Sequence, residues 1–424
     1  MAVGASRRGR TARKRKLPRA RIGLALAGGG PLGGIYEIGA LLALAESLQG
    51  VDLNDLDVYV GVSSGGFVAA ALANGISPAQ MYRLFIVEGS DAALPPALFL
   101  RPALGEFWRR AASLPRLAGA SLATFLRDPL HHGALESFAA LGRAVPTGLF
   151  DQRAIHAFLT GLLAMNGRSN DFRRLRHKLF LVATNLDTGA SVTFGAPGFD
   201  RVPIDKAIAA SAALPGLFPP VEIDGEHYVD GALNKTLHAS AALECGIDLL
   251  LCVNPLVPFD AAAAARRGRL SVEKIDQGGL PLVLAQTFRA IIHSRMRVGM
   301  EKYRRAYPDA DILLFEPGRE DADMFFANIF SYTHRAHLCE TAYRSTRERL
   351  YSQRRALAAV LARHGIRLDV AKLAQPRRIG AALDDPRPLF LKRPSVKTTA
   401  RALARTLDAL ERCLQRPPAG RAAV

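Results

Sequence analysis

A serine, a glycine-rich loop and an aspartate follow one another along this chain in the settings that acyl transfer requires. Ser63 lies in Gly61-Val62-Ser63-Ser64-Gly65, directly after the strand-like run Val58-Tyr59-Val60 and before the helix-like stretch 67–72. Strand, tight turn, serine and helix make a nucleophile elbow. The turn lifts the hydroxyl out of a sheet, and small flanking residues let the chains pass closely. The helix that follows aims its free N–H groups and positive dipole end at the reacting centre. Upstream, the short apolar run 22–27 leads into Gly28-Gly29-Gly30-Pro31-Leu32-Gly33-Gly34 and then into a helix-like stretch at 35–44. Such a loop can turn several N–H groups toward one point and hold an oxyanion. Downstream, Asp230 in Tyr228-Val229-Asp230-Gly231-Ala232 follows a hairpin-like segment around Asp224-Gly225. A carboxylate at that strand end can take the serine proton without an intervening histidine.

Two rival readings use the same residues. Gly28-x-Gly30-x-x-Gly33 formally matches a dinucleotide-binding fingerprint. That reading needs an acid ending a second strand about 20 residues on, and Asp52 and Asp55 lie in a loop-like stretch before Val58. A Ser-His-Asp triad is the other, because His238, His293, His334, His337 and His364 all follow Asp230. An α/β-hydrolase places its oxyanion loop after several antiparallel strands, whereas this chain carries its glycine loop at the first strand. Asp187, in Asp187-Thr188-Gly189 after the strand-like run 180–186, reads as a structural turn residue rather than a second acid.

The order Gly-Gly-Gly-x-x-Gly, Gly-x-Ser-x-Gly, Asp-Gly-Ala resembles that of the patatin-like phospholipase family. So does Ala209-Ala210-Ser211-Ala212-Ala213-Leu214-Pro215-Gly216-Leu217-Phe218-Pro219-Pro220, which stands where that family has a similar segment before its aspartate. The resemblance covers residues 22 to 256. It implies an α/β fold: a three-layer α/β/α sandwich around a central, mostly parallel sheet. It implies a Ser-Asp dyad cleaving acyl esters of phospholipids or other lipids, with no cofactor. Ser63 would be the nucleophile and Asp230 the base. Gly28, Gly29, Gly30 and Gly33 would form the oxyanion hole, and Gly61 and Gly65 the elbow. One position departs from the family, which often carries Arg or Lys before the last glycine of its loop; this chain has Leu32. Backbone donors survive that change, and help from a cation does not. A non-catalytic lipid-surface or storage-granule protein that keeps the fold is the alternative from another class.

Composition bounds the rest. The chain is 49% hydrophobic and 22% charged, as a globular protein is. It has no run of about 18 apolar residues that would span a membrane, and no apolar core after its basic start, so no secretion signal is expected. Of a net charge of +18, residues 1–21 supply nine positive charges and residues 387–424 a further seven, leaving the body close to neutral. Basic ends of this kind seek an anionic surface, here membrane rather than nucleic acid, or are solvated tails. In the C-terminal stretch Val396, Ala400, Leu403, Leu407, Leu410 and Leu414 fall at helical spacing among arginines, the pattern of a membrane-surface helix or of a docked one. Cys245, Cys252, Cys339 and Cys413 are scattered, which fits reduced thiols in the cytoplasm, with association at the inner membrane surface as a peripheral protein. His131-His132 and the pair His334 and His337 lack the further ligands of a zinc site, so no metal is expected.

The expected organisation is a basic tail (1–21), a catalytic domain (22–256), a mainly helical extension and linker (257–386) and a basic amphipathic tail (387–424). Within the catalytic domain, 86–148 breaks the strand–helix pattern. It mixes Phe99, Phe107, Trp108 and Phe125 with Arg101, Arg109, Arg110, Arg116 and Arg127. It reads as a helical insertion: either a cap over an acyl pocket that dips into lipid, or a plain insertion with its own core.

Overall fold

The computed structural model describes residues 19–87, 101–127, 144–165, 167–266, 275–322, 325 and 332–383. The basic tails, apart from residues 19–21, lie outside these, as do parts of the insertion.

The chain opens with β1 (Ile22–Leu26), α1 (Gly30–Ser47), β2 (Leu48–Gln49), β3 (Val58–Val62), α2 (Ser64–Ala73) and α3 (Pro78–Phe85). The insertion contributes α4 (Leu104–Arg127), and α5 (Arg153–Leu163) follows. Next come β4 (Lys178–Asn185), β5 (Ser191–Phe194), α6 (Ile204–Ser211), β6 (Val221–Ile223), β7 (Glu226–Asp230), α7 (Ser240–Leu243) and β8 (Leu249–Val253). The remainder is α8 (Ala261–Arg266), α9 (Gly279–Ala306), β9 (Asp311–Phe315), α10 (Tyr332–Ser352), α11 (Arg354–Arg363), β10 (Arg367–Leu368) and α12 (Val370–Ala374).

Five strands run parallel in the order β4-β3-β1-β8-β9. Every residue of β1, β3 and β8 is buried, because helices cover both faces of a parallel sheet and leave no polar side to alternate with. On one face Ala25, Val58, Val60, Val62 and Val182 pack with Leu243 of α7 and with Met296 and Met300 of α9. The opposite face carries Leu181, against which Gly66 of α2 lies. The result is the three-layer sandwich expected from the sequence, with mixed pairing added at one side by β5, β6 and β7.

Register along β4 determines where the functional residues go. Val62, the last residue of β3, faces Val182, and Asp230, the last residue of β7, faces Ala183, the next residue of β4. The opposite edge of this stretch is taken by β5, which pairs with Leu181 through Thr184. β3 and β7 therefore occupy the same edge of β4 and run toward each other. Their C-terminal ends meet. A Cβ on Gly231 would lie 3.2 Å from Val62 Cγ1, which shows how closely they abut.

Beyond residue 256 the chain is mainly helical, as expected, with one strand added: β9, which extends the sheet beyond β8. The end of that extension, where a linker is expected, is held to the body over its described residues 366–383. β10 pairs with β2, Arg347 of α10 donates to the carbonyls of Lys372 and Gln375, and Arg377 pairs with Glu46 of α1. Asp311-Ile312-Leu313-Leu314-Phe315 is a short edge strand inside charged sequence, and it carries no period that separates it from a helix. Among the described residues, no helix is long and apolar enough to cross a membrane.

α1 is apolar nearly all round and sits in the interior. It crosses α10 at Gly39, where a Cβ would collide with the Cys339 carbonyl oxygen and approach Ala342 Cβ to 2.8 Å. Gly39→Ala should therefore destabilise the fold by about 1–3 kcal/mol, as overpacking does, despite alanine's better helix propensity. Chemical denaturation measures this, and an unchanged or raised midpoint would contradict the crossing.

Candidate active site

β3 delivers Ser63 to the sharp turn into α2. Ser63 has φ 54 and ψ −123, a left-handed conformation that costs a non-glycine residue about 1–3 kcal/mol. The flanking glycines are sterically required. A Cβ on Gly61 would collide with the Gly65 carbonyl oxygen and Gly66 Cα, and one on Gly65 would come within 2.6 Å of the Ala27 carbonyl oxygen. The strained serine is held by its own amide. Its N–H donates to Ser211 Oγ at 2.9 Å, and Ser211 Oγ donates to the Val182 carbonyl at 2.6 Å. Ser211 is fully buried at the end of α6. The sequence showed it only within the segment before the aspartate, with no role of its own; a small hydroxyl among alanines was the available signal.

Asp230 ends β7 within hydrogen-bonding reach of the Ser63 hydroxyl. The two side chains are 2% and 6% exposed. One carboxylate oxygen of Asp230 also accepts the Ala232 N–H at 2.8 Å. Burial pushes the Asp230 carboxyl up to about 6, and the hydrogen bonds from Ser63 and Ala232 oppose that rise. The hairpin before it has the turn expected at Asp224-Gly225, with φ 53 and 84.

The glycine loop closes over the same point. A Cβ on Gly28 would lie 3.0 Å from both Ser63 Cβ and Ala232 Cβ, so Gly28 stands beside both arms of the pair. The loop is shorter than its glycines suggested. α1 begins at Gly30, with Pro31 in its first turn, five residues before the expected start. Gly33 is thus helical, and its N–H donates to the Gly29 carbonyl at 3.0 Å. Gly28 N–H is directed at the Thr236 carbonyl at 3.4 Å. Gly29, Gly30 and Leu32 come before the first intrahelical bond, so the helix leaves their amides unpaired, and Gly29 and Gly30 stand nearest Gly28 in the chain. Leu32 lies in this first turn, half-buried.

Three of the histidines that follow Asp230 are engaged elsewhere. His238 is buried beside Thr193 at 3.4 Å, and burial, with Lys235 nearby, lowers it to about 4. His293 lies 3.6 Å from Glu316, and His364 lies 2.7 Å from Asp311. Asp187 sits in the β4–β5 turn, where its N–H and that of Thr188 donate to the Asn185 side chain. A cleft of about 500 Å³ beside the insertion is lined by Glu106, Arg109, Asp151, Arg153 and Pro219 among others, and by none of the residues above.

The model of the family described as "Patatin-like phospholipase" matches residues 24–243, just over half of the chain. The chain belongs to the patatin-like phospholipase family. An uncharacterized NTE family protein of Mycobacterium tuberculosis is 38% identical over 73 residues, which are 17% of this chain and 19% of that relative. The chain thus matches under a fifth of the length of this curated relative. Among solved structures, VipD of Legionella pneumophila is 16% identical, with 79% of this chain and 67% of that one covered, at a TM-score of 0.34. The type III effector ExoU is 17% identical over 93% of this chain and 63% of its own, also at 0.34. Human GIVD cytosolic phospholipase A2, solved with methyl gamma-linolenyl fluorophosphonate, is 14% identical over 83% and 60%, at 0.30.

Ser211 is testable apart from any activity. Ser211→Ala removes the acceptor of a buried N–H at a strained residue and should cost about 1–3 kcal/mol in denaturant unfolding. A loss below about 0.5 kcal/mol would show that the elbow does not lean on it.

Proposed function

We propose that this protein is a serine lipid acyl hydrolase of the phospholipase A or lysophospholipase type, working through a Ser63–Asp230 dyad. The observation that carries the reading is a serine on a strained elbow brought beside a buried carboxylate at the meeting ends of β3 and β7, with family membership beside it.

The steps follow from the chemistry of the groups. Asp230 accepts the Ser63 proton as Oγ attacks the ester carbonyl carbon. The carbonyl oxygen becomes an oxyanion, for which the amides of Gly29 and Gly30 are the candidate donors, with the N-terminal end of α1 behind them. The tetrahedral intermediate collapses to an acyl-enzyme as the alcohol leaves with the proton from Asp230. Water then enters, Asp230 takes its proton, and the acid is released with Ser63 restored. A carboxylate at its ordinary value is a poor base for a serine. Burial raises Asp230 toward the working pH, which increases its basicity without adding a group.

Ser63→Ala and Asp230→Asn should each lower ester hydrolysis by about 1,000-fold or more, and the double variant should lose little beyond either, since the two act as a unit. His238→Ala should keep most of the activity. Activity lost as fully in a histidine variant, with most of it kept in Asp230→Asn, would overturn the dyad in favour of a triad.

The pH profile gives a second check. The base must be deprotonated, so kcat/KM should fall about tenfold per pH unit below about 6 and level off above it. A limb near 4 would mean that burial does not tune Asp230.

A further inference from the structure

α9 is apolar on two opposite sides, and among the described residues only one of them has a partner. Its inward side is accounted for. Met296 and Met300 join the core beneath the sheet, Gln286 bonds both the N–H and the carbonyl of Phe259, Arg289 lies over Phe325, and His293 faces Glu316. At about 100° per residue, Leu280, Leu284, Ile291 and Val298 fall within about 40° of one another on the opposite side. Leu280 and Val298 are each 70% exposed and Ile291 50%, with Phe288 at their edge also exposed. The stripe is about 27 Å long at 1.5 Å per residue. Soluble monomers seldom leave such a stripe in water.

Charge selects the occupant. The same outward side carries Arg295 and Lys302, both exposed, and Arg305, which pairs with Glu301 at 3.1 Å. Glu301 is the only acid on the whole helix. An apolar stripe bordered by cations suits an anionic lipid surface, where apolar side chains enter the headgroup boundary and cations meet lipid phosphate. The stripe is also tied to the site. Arg295 donates to the carbonyl of Leu233 at 3.3 Å, and Leu233, itself exposed, stands three residues after Asp230.

We propose that the outward face of α9 seats on an anionic lipid surface and sets the Ser63–Asp230 site against it. The choice of lipid as occupant rests on the hydrolase reading above. This surface is distinct from the basic tails, whose charge, with the leucine stripe of the C-terminal one, would add an attraction of their own.

The test is flotation of the full-length chain with phosphatidylglycerol–phosphatidylcholine vesicles, in a Ser63→Ala background so that no lipid is consumed. Leu284→Asp with Ile291→Asp should weaken partitioning by about tenfold or more relative to the parent chain with the same tails, and the deficit should persist at 0.5 M salt, where the charge of the tails is screened. Both sites are exposed, so the fold should hold, and an unchanged thermal midpoint verifies it. If that midpoint falls, Leu284→Ser with Ile291→Ser replaces the pair and should weaken partitioning in the same direction. Undiminished partitioning of a folded variant would overturn the proposal. So would a dimer of the parent chain that the substitutions dissociate while vesicle binding stays intact, since the occupant would then be a second copy. Turnover of a short soluble ester by the chain with Ser63 intact tests the hydrolase reading separately.

Discussion

The candidate site depends on two strands that meet end to end on one edge of β4. Because Val62 and Asp230 face consecutive residues of that strand, the residue after β3 and the last residue of β7 are forced together. Antiparallel pairing of β7 is what makes this possible in an otherwise parallel centre. A parallel strand in its place would carry its C-terminal end away from the elbow. Ser63 and Asp230 are 167 positions apart in the chain, and the sheet, rather than any local turn, brings them within hydrogen-bonding reach.

That junction imposes the rest of the local structure. Around it there is no room for a Cβ at Gly61, against the elbow's own Gly65 and Gly66, at Gly65, against the Leu26 and Ala27 carbonyls, or at Gly231, against the Val182 carbonyl. The chain leaving β3 must turn sharply, which places Ser63 in a left-handed conformation, and Ser211 holds it there through the amide. The same crowding excludes water from Asp230. Exclusion raises the energy of the charged carboxylate and makes it a stronger base, while the Ala232 amide and the serine hydroxyl keep ionisation within reach. Strain, close packing and basicity are thus consequences of one register.

Much of this was legible in the sequence, and the limits are physical. Glycines at Gly61, Gly65 and Gly28 announce close approach, and buried strands such as Leu249–Val253 announce a covered sheet. Asp224-Gly225 announced the hairpin that delivers Asp230. The start of α1 was misplaced because three successive glycines look like loop, although Pro31 is a good first-turn residue. As a result Gly33 was grouped with the oxyanion donors, whereas its amide is spent within the helix. β9 was hidden because a five-residue edge strand has too few positions to show a period. Ser211 could not be assigned a role, since its function lies in a hydrogen bond to a residue 148 positions away. The outward stripe of α9 was equally silent, because only the packed fold shows which side of an apolar helix is left over.

The central claim is that Ser63 is made nucleophilic by Asp230 directly. The most direct measurement is the rate at which a fluorophosphonate labels the protein, with the adduct located by peptide mass spectrometry. The account predicts labelling at Ser63 alone, at a rate that collapses in Asp230→Asn while the unfolding midpoint is retained. Labelling of Ser63 at an undiminished rate in Asp230→Asn, or labelling at another serine, would contradict it.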